Sequence, residues 1–241
     1  MNRQVPANRR RSLLILFLII LVMIIVVSVA AAGLLAVLLS DEGQANPFLA
    51  AKRYEEPFIE TGRWGTGQQP GPDGTMATGS VGTVVNGVYE LELLGANGLH
   101  WATAGEEFGD GRYELDVTFV DGPLDNAGGL VFMFDREAFY FFVVRGDGRA
   151  LIARCSDGCG GEFAILAQGG WFQTEADWGV GSQNRLAVTA SGGALSFYIN
   201  GDLVATVNDD SLMSGDVGLI VSSGPEGQAH FAFDNILVAE E

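Results

Sequence analysis

Few residues in this chain have the type and spacing to do chemistry, and most of them are carboxylates or aromatic rings. His100 and His230 are the only histidines, and neither H-x-H nor H-E-x-x-H spacing occurs, so a histidine-rich metal centre cannot be built. Each reads as a packed or solvent-bonded side chain. Oxygen donors are better supplied. Asp121, Asp125 and Asn126 share one loop and Asp234-Asn235 sits in the last strand segment, which makes calcium an admissible ligand, although no cofactor is required and no EF-hand loop is present. Trp101, Tyr140, Trp171 and Trp178 offer flat apolar faces, with a polar edge, on which a ligand can stack. Core packing competes for every one of them. Arg145-Gly146-Asp147 spells an integrin-type tripeptide, but its Gly-rich surroundings read as a turn.

Cys155 and Cys159 flank Ser156-Asp157-Gly158, a spacing that lets a short hairpin bring them within disulfide reach. Zinc is the rival use, and two thiols without nearby histidines supply only half of its tetrahedral shell. The disulfide reading requires an oxidising compartment.

The elements that must position these residues are strands. The chain has 34 glycines and 15 phenylalanines with 18% charged residues, a balance that suits turns and aromatic-filled strands rather than long soluble helices. Strand patterns recur at 87–94, 111–122, 128–135, 138–148, 149–155, 161–167, 184–190, 215–223 and 229–238, with turn residues between them. In GRYELDVTF, Tyr113, Leu115, Val117 and Phe119 alternate with Glu114, Asp116 and Thr118, the mark of a half-buried strand. FYFFVV at 139–144 is apolar on both faces, as in a central strand that is covered twice or whose second face lines an aromatic groove. Asn200-Gly201 lies between two alternating runs in ALSFYINGDLVATVND and predicts a tight hairpin whose loop is two or three residues long. The Gly-rich stretch 62–82 reads as a long surface loop.

Ahead of the strands, Leu13 to Leu39 is a run of 27 residues without a charge, long enough for a transmembrane helix. Arg3, Arg9, Arg10 and Arg11 precede it and Asp41-Glu42 follow, which predicts a cytoplasmic tail over 1–12 and an extracytoplasmic remainder. The rival is a signal peptide cut near Ala30–Ala32, for which the apolar run is too long. Residues 40–56 read as a juxtamembrane linker, with a helical turn or two near Leu49 to Tyr54, and 57–240 as one domain. All 30 acidic side chains but only nine of the 13 basic ones lie after residue 40, a formal charge of −21 that disfavours nucleic acid as a partner.

The run FYFFVVRGDGRALIAR, NRLAV, LSFYING, GDVGLIVSS and FDNILV, in that order, resembles the concanavalin A-like lectin/glucanase superfamily, especially its DUF1080 (3-keto-disaccharide hydrolase-like) and laminin G-like branches. The resemblance covers residues 108 to 238 and implies an all-β, two-sheet antiparallel jelly-roll sandwich whose concave face binds sugars or proteins. It also implies that Asn200 and Gly201 set a turn rather than touch a ligand. Glucanase-like members are expected to carry Glu-x-Asp-x-x-Glu or Glu-x-Asp-x-Glu, two glutamates acting as nucleophile and acid/base. Here Glu114-Leu115-Asp116-Val117-Thr118-Phe119 lacks the second glutamate at both positions, so no catalytic residue is expected. The reading is a membrane-anchored, extracytoplasmic, non-catalytic module for glycans or proteins. A surface-anchored glycosidic hydrolase and a partner-binding domain of a cell-surface assembly are the alternatives.

Overall fold

The computed structural model describes residues 52–59, 64–160, 163–176 and 179–240. The expected tail, membrane helix and most of the linker, 1–51, lie outside the described residues, and no helix among the described residues is long and apolar enough to cross a membrane.

Among the described residues, sixteen strands and one short 3-10 turn (Met76–Thr78) follow in chain order: β1 (Arg53–Glu56), β2 (Gly67–Gln69), β3 (Ser80–Val85), β4 (Val88–Leu93), β5 (Leu99–Phe108), β6 (Gly111–Asp121), β7 (Ala127–Asp135) and β8 (Ala138–Arg145). Then come β9 (Arg149–Cys155), β10 (Ala164–Ile165), β11 (Phe172–Gln173), β12 (Gln183–Ser191), β13 (Ala194–Ile199), β14 (Asp202–Asn208), β15 (Gly215–Ser222) and β16 (Ala229–Glu240). All pairings are antiparallel and build two sheets. One runs β14-β13-β12-β6-β16-β4-β3-β2, with β1 also on β16; the other runs β10-β9-β8-β7-β15-β5, with β11 also on β9. This is the expected all-β two-sheet sandwich.

Alternation decides what each strand buries. Tyr113, Leu115, Val117 and Phe119 of β6 are fully buried between the sheets, as their period-2 spacing predicts. They meet Leu130, Phe132, Tyr140, Phe142 and Val144 from the facing sheet in one core. β8 serves both faces: Tyr140, Phe142 and Val144 enter that core, while Phe139, Phe141 and Val143 join a second apolar cluster on the outer face of the same sheet.

Three expectations change. Arg53–Glu56 is not linker or helix but a strand paired with Ile236–Ala239, because its carbonyls and amides complete the exposed side of β16. The stretch 62–82 is not one loop: Gly67–Gln69 pairs with Ser80–Gly82. β5 carried too many small residues (Ala102, Ala104, Gly105) to stand out as a strand, yet it pairs along most of β15. The hairpin at Asn200-Gly201 closes with a two-residue loop, Ile199 opposite Asp202, and both turn residues have positive φ (53° and 93°), as a type I′ turn needs. Asn200 also accepts a hydrogen bond from the Arg185 amide (2.9 Å) and donates to Asn184 Oδ1 (2.7 Å), which fixes the turn to β12.

The buried phenols make a pH prediction. Burial pushes the Tyr89 hydroxyl up to about 12 and that of Tyr140 also to about 12, helped at Tyr140 by its bond to Asp209; Tyr113 moves the same way, with Glu240 and Asp110 adding to its burial. A raised folded value means the fold favours the neutral phenol. That share of stability is fully present below the ordinary tyrosine value near 10 and is lost as pH rises through the folded value. Denaturation midpoints measured at a series of pH values are expected to hold up to about pH 10 and fall steeply above it. Tyrosinate absorbance from these three rings appearing near pH 10 in the folded state would contradict this.

Candidate functional site

The site is built on the outer face of the sheet carrying β8. Register places Trp101, Ile220, Gly129, Val143 and Leu151 side by side across β5, β15, β7, β8 and β9. Thr103, Gly218, Val131, Phe141, Ala153 and Ile165 form the next row on this face, and Leu99, Ser222, Ala127 and Arg145 the row on the other side. Such rows arise because side chains two residues apart share a face. The rows floor a groove of about 330 Å³. Its floor is Ala127, Val143, Leu151 and Ile220, and its rim is raised by Phe163 and Trp171, from the segment that crosses back over β9, and by Leu99. These rim side chains stay partly open to solvent, at 42% (Phe163), 37% (Trp171) and 36% (Leu99). Phe141 packs edge-on against Phe163 at 5.7 Å. The guanidinium of Arg145 sits 4.9 Å from the centre of the Trp171 ring. Polar groups are confined to one end, where Asn97, Ser222 and Ser223 join the wall, and the described lining residues include no carboxylate.

The disulfide forms as the spacing predicted. Cys155 and Cys159 are bonded, with Cα atoms 5.1 Å apart, and Cys159 lines the groove. The covalent link holds the loop after β9 against the same face, where Gly158 and Cys159 adopt left-handed backbone (φ 70° and 56°).

The other predicted residues divide sharply. Trp171 is where a ligand can reach it. Trp101 is on the same face, half-buried, with its ring packed on Phe139 (5.2 Å) and Phe134 (6.5 Å) outside the groove wall. Tyr140 is a correction. It is 1% exposed, stacked on Phe132 at 5.2 Å, and its hydroxyl donates to Asp209 Oδ1 at 2.7 Å, because position 140 has the core-facing parity of β8. It cannot stack on a ligand. Trp178 lies outside the described residues. Phe141 and Phe163 were missed; the parity of FYFFVV contains Phe141, once the core face of β8 is known.

The acidic pair of β6 lies on the other sheet, facing outward beside a cleft of about 360 Å³ that Glu55, Glu114, Arg185 and Asn235 help to line. Asp116 is 8% exposed and takes both arms of Arg185, Nε at 2.7 Å and Nη2 at 3.1 Å, plus the Asn235 amide at 2.9 Å. Arg112 and Arg185 both pair with Glu114. The Asp116 hydrogen bonds raise the Arg185 value above that of a free guanidinium. Both carboxylates are thus engaged by arginines, and Glu55 and Glu56 line the same cleft.

The calcium candidates do not converge. Asp121 stands opposite His230 on the β6–β16 ladder and Asp234 stands opposite Asp116, five positions along, roughly 16 Å at strand spacing. Asn126 is fully buried and spends its amide on the backbone of Gly224 and Gln228, and Asp125 lies against Gly224. Among the described residues no three Asp, Glu, His or Cys side chains gather closely enough to hold a metal. His100 bonds Ser80 Oγ (3.2 Å) and His230 meets Glu90 (3.1 Å). Arg145 and Asp147 of the tripeptide pair with each other across the β8–β9 turn.

No family model matches the sequence, and no curated protein matches it. Solved structures do. A carbohydrate binding module, CBM66, from Bacillus subtilis aligns over 61% of this chain and 84% of its own at TM-score 0.51 and 22% identity. A Bacillus licheniformis beta-glucanase aligns over 78% of this chain and 98% of its own at TM-score 0.53 and 12% identity. A Bacillus subtilis protein described as having a galectin-like fold aligns over 78% and 94% at TM-score 0.53 and 14% identity. These likenesses establish the fold, a two-sheet antiparallel sandwich like those of the carbohydrate binding module and the beta-glucanase. Nothing in them singles out the DUF1080-like branch.

Proposed function

We propose that this chain is a membrane-anchored, extracytoplasmic module that binds glycans in the groove on the outer face of the β8 sheet and does not hydrolyse them. One observation carries the reading: the groove joins exposed aromatic faces to a polar end without a lining carboxylate, while the acidic pair sits on the opposite sheet, engaged by arginines. Aromatic faces stack on the C–H faces of sugar rings, and the few polar groups orient the hydroxyls. The carbohydrate-binding module among the structural neighbours supports the same ligand class.

Trp171→Ala in the full chain, kept in detergent, is expected to weaken oligosaccharide binding about tenfold, a hot-spot loss of ~1.4 kcal/mol. Its melting temperature is expected to stay near that of the parent, since the ring is on the rim. Calorimetric titration across a glycan panel checks the affinity, and a thermal scan checks the melting temperature. Unchanged affinity in the variant rules out the groove, and a panel without any binder points to a protein ligand instead. Release of reducing sugar that Glu114→Gln abolishes would establish the hydrolase alternative.

Anchoring rests on the charge-free run 13–39 and the four arginines before it. The expected outcome is that protease added outside intact cells digests the strand domain and leaves the N-terminal tail. Full protection of the domain reverses the orientation.

A further inference from the structure

Beside the groove, next to its lining residue Trp171, stands one positive charge whose sign is unexpected for so acidic a chain. Arg145 belongs to the same cross-strand row as Ala127 and Ser222, two of the groove's own lining residues, so its side chain leaves the sheet on the groove face. Trp171, a rim residue, covers its guanidinium at 4.9 Å. Its side chain is 17% exposed, and its Nε is buried without a hydrogen-bond partner among the described residues. The nearby carboxylate is shared unequally: Asp147 Oδ2 lies 2.9 Å from Arg149 Nη2 and 3.7 Å from Arg145 Nη2. Two guanidinium groups therefore stand over one carboxylate, and Arg145 holds the longer, weaker contact.

We propose that the groove selects acidic saccharides, with a carboxylate or sulfate of the ligand taking the guanidinium of Arg145 while the adjoining sugar ring lies over Ala127 toward Ser222. This rests on the glycan-binding reading of the groove and names its ligand class. Three features carry it. The arginine's charge is under-compensated and has a fork of donors that matches a planar acid group or a sulfate. Trp171 fixes the fork in place, so little side-chain freedom is lost on binding. Between Arg145 and Ser222, Ala127 leaves the floor low over two strand spacings, roughly 10 Å, room for a ring whose hydroxyls reach the serine end. The surrounding domain is strongly acidic, so a cation beside the groove does not follow from its average composition. The same acidity repels anionic polymers elsewhere on the surface and confines them to this point.

The test uses the full chain in detergent and three oligosaccharides of equal length: an oligogalacturonate, a sulfated galactan fragment and a neutral gluco-oligosaccharide. At low ionic strength at least one acidic ligand is expected to bind about tenfold tighter than the neutral one, with the preference shrinking as salt is added. The tighter of the two acids identifies the group that Arg145 takes. Arg145→Gln is expected to bring the acidic-to-neutral ratio close to one. Asp147→Asn, which removes the competing carboxylate and leaves the arginine in place, is expected to widen the ratio several-fold, and it keeps the test valid if Arg145→Gln does not fold. Equal affinity for acidic and neutral ligands, or a ratio that neither variant moves, overturns the acidic selectivity and leaves glycan binding standing. Failure of all three ligands together with an empty glycan panel overturns the glycan reading itself.

Discussion

Replacing Tyr140 with alanine is expected to cost about 3–5 kcal/mol of stability, and replacing it with phenylalanine about 1–2 kcal/mol. The ring is stacked on Phe132 within the core, so alanine leaves a cavity where a large aromatic stood. The hydroxyl carries a separate share. It donates to Asp209 Oδ1 at 2.7 Å and accepts from the Leu212 amide at 3.2 Å, in the segment that leaves β14 in one sheet for β15 in the other. Asp209 also accepts the Ser211 amide at 2.9 Å and stands 3.4 Å from Arg154 Nε. Phenylalanine keeps the ring and leaves these groups short of one partner. Urea denaturation of both variants separates the two shares. A loss below 1 kcal/mol for alanine, joined to a drop in glycan affinity, would return Tyr140 to a ligand-facing role.

Gly128→Ala is expected to lose about 1–3 kcal/mol, a large effect for one methyl group. Gly128 has the core-facing parity of β7, and a Cβ there would lie 2.5 Å from Cδ1 and 2.7 Å from Cγ of Phe231. The Phe231 ring has no free space to retreat into, being fully buried between Phe119 (5.2 Å) and Phe233 (6.4 Å). The obstacle is thus a named ring, and a double-mutant cycle can detect it. Phe231→Leu should recover part of the loss, with a coupling of about 0.5–3 kcal/mol. Additive losses within about 0.5 kcal/mol would show that something other than Phe231 resists the methyl group.

What was legible in the sequence followed local periodicity. β6 alternates cleanly, so its buried set of Tyr113, Leu115, Val117 and Phe119 was correct to the residue. Asn200-Gly201 fixed its turn for the same local reason, the positive φ both positions adopt. β8 shows where such reading stops. Both of its faces are apolar, so nothing along the strand says which one meets the other sheet, and Tyr140 was assigned to the wrong side. The groove rim was less legible still. Phe163 and Trp171 reach it through a segment that recrosses β9 in two-residue pairings too short to leave a pattern. Arg145 reads along the chain only as part of a tripeptide in a turn, and it is the cross-strand row that places it beside Ala127 and Ser222.

The short first strand has a mechanical meaning. Any pull on the chain ahead of Arg53 is delivered to β1, whose four residues lie against Ile236–Ala239. At its start, Lys52 acts as a hook: its carbonyl accepts the Glu240 amide (3.0 Å), and its Nζ donates to the Glu107 carbonyl (2.8 Å) and Glu106 (3.2 Å). A load peeling β1 away from β16 breaks these bonds one after another instead of all at once, so it meets small forces before the long strands bear any. Letting go of those four residues adds roughly 13 Å of slack while β6 and β4 remain on β16. Under such a load β1 gives way first, and the strands that carry the groove are spared until it has.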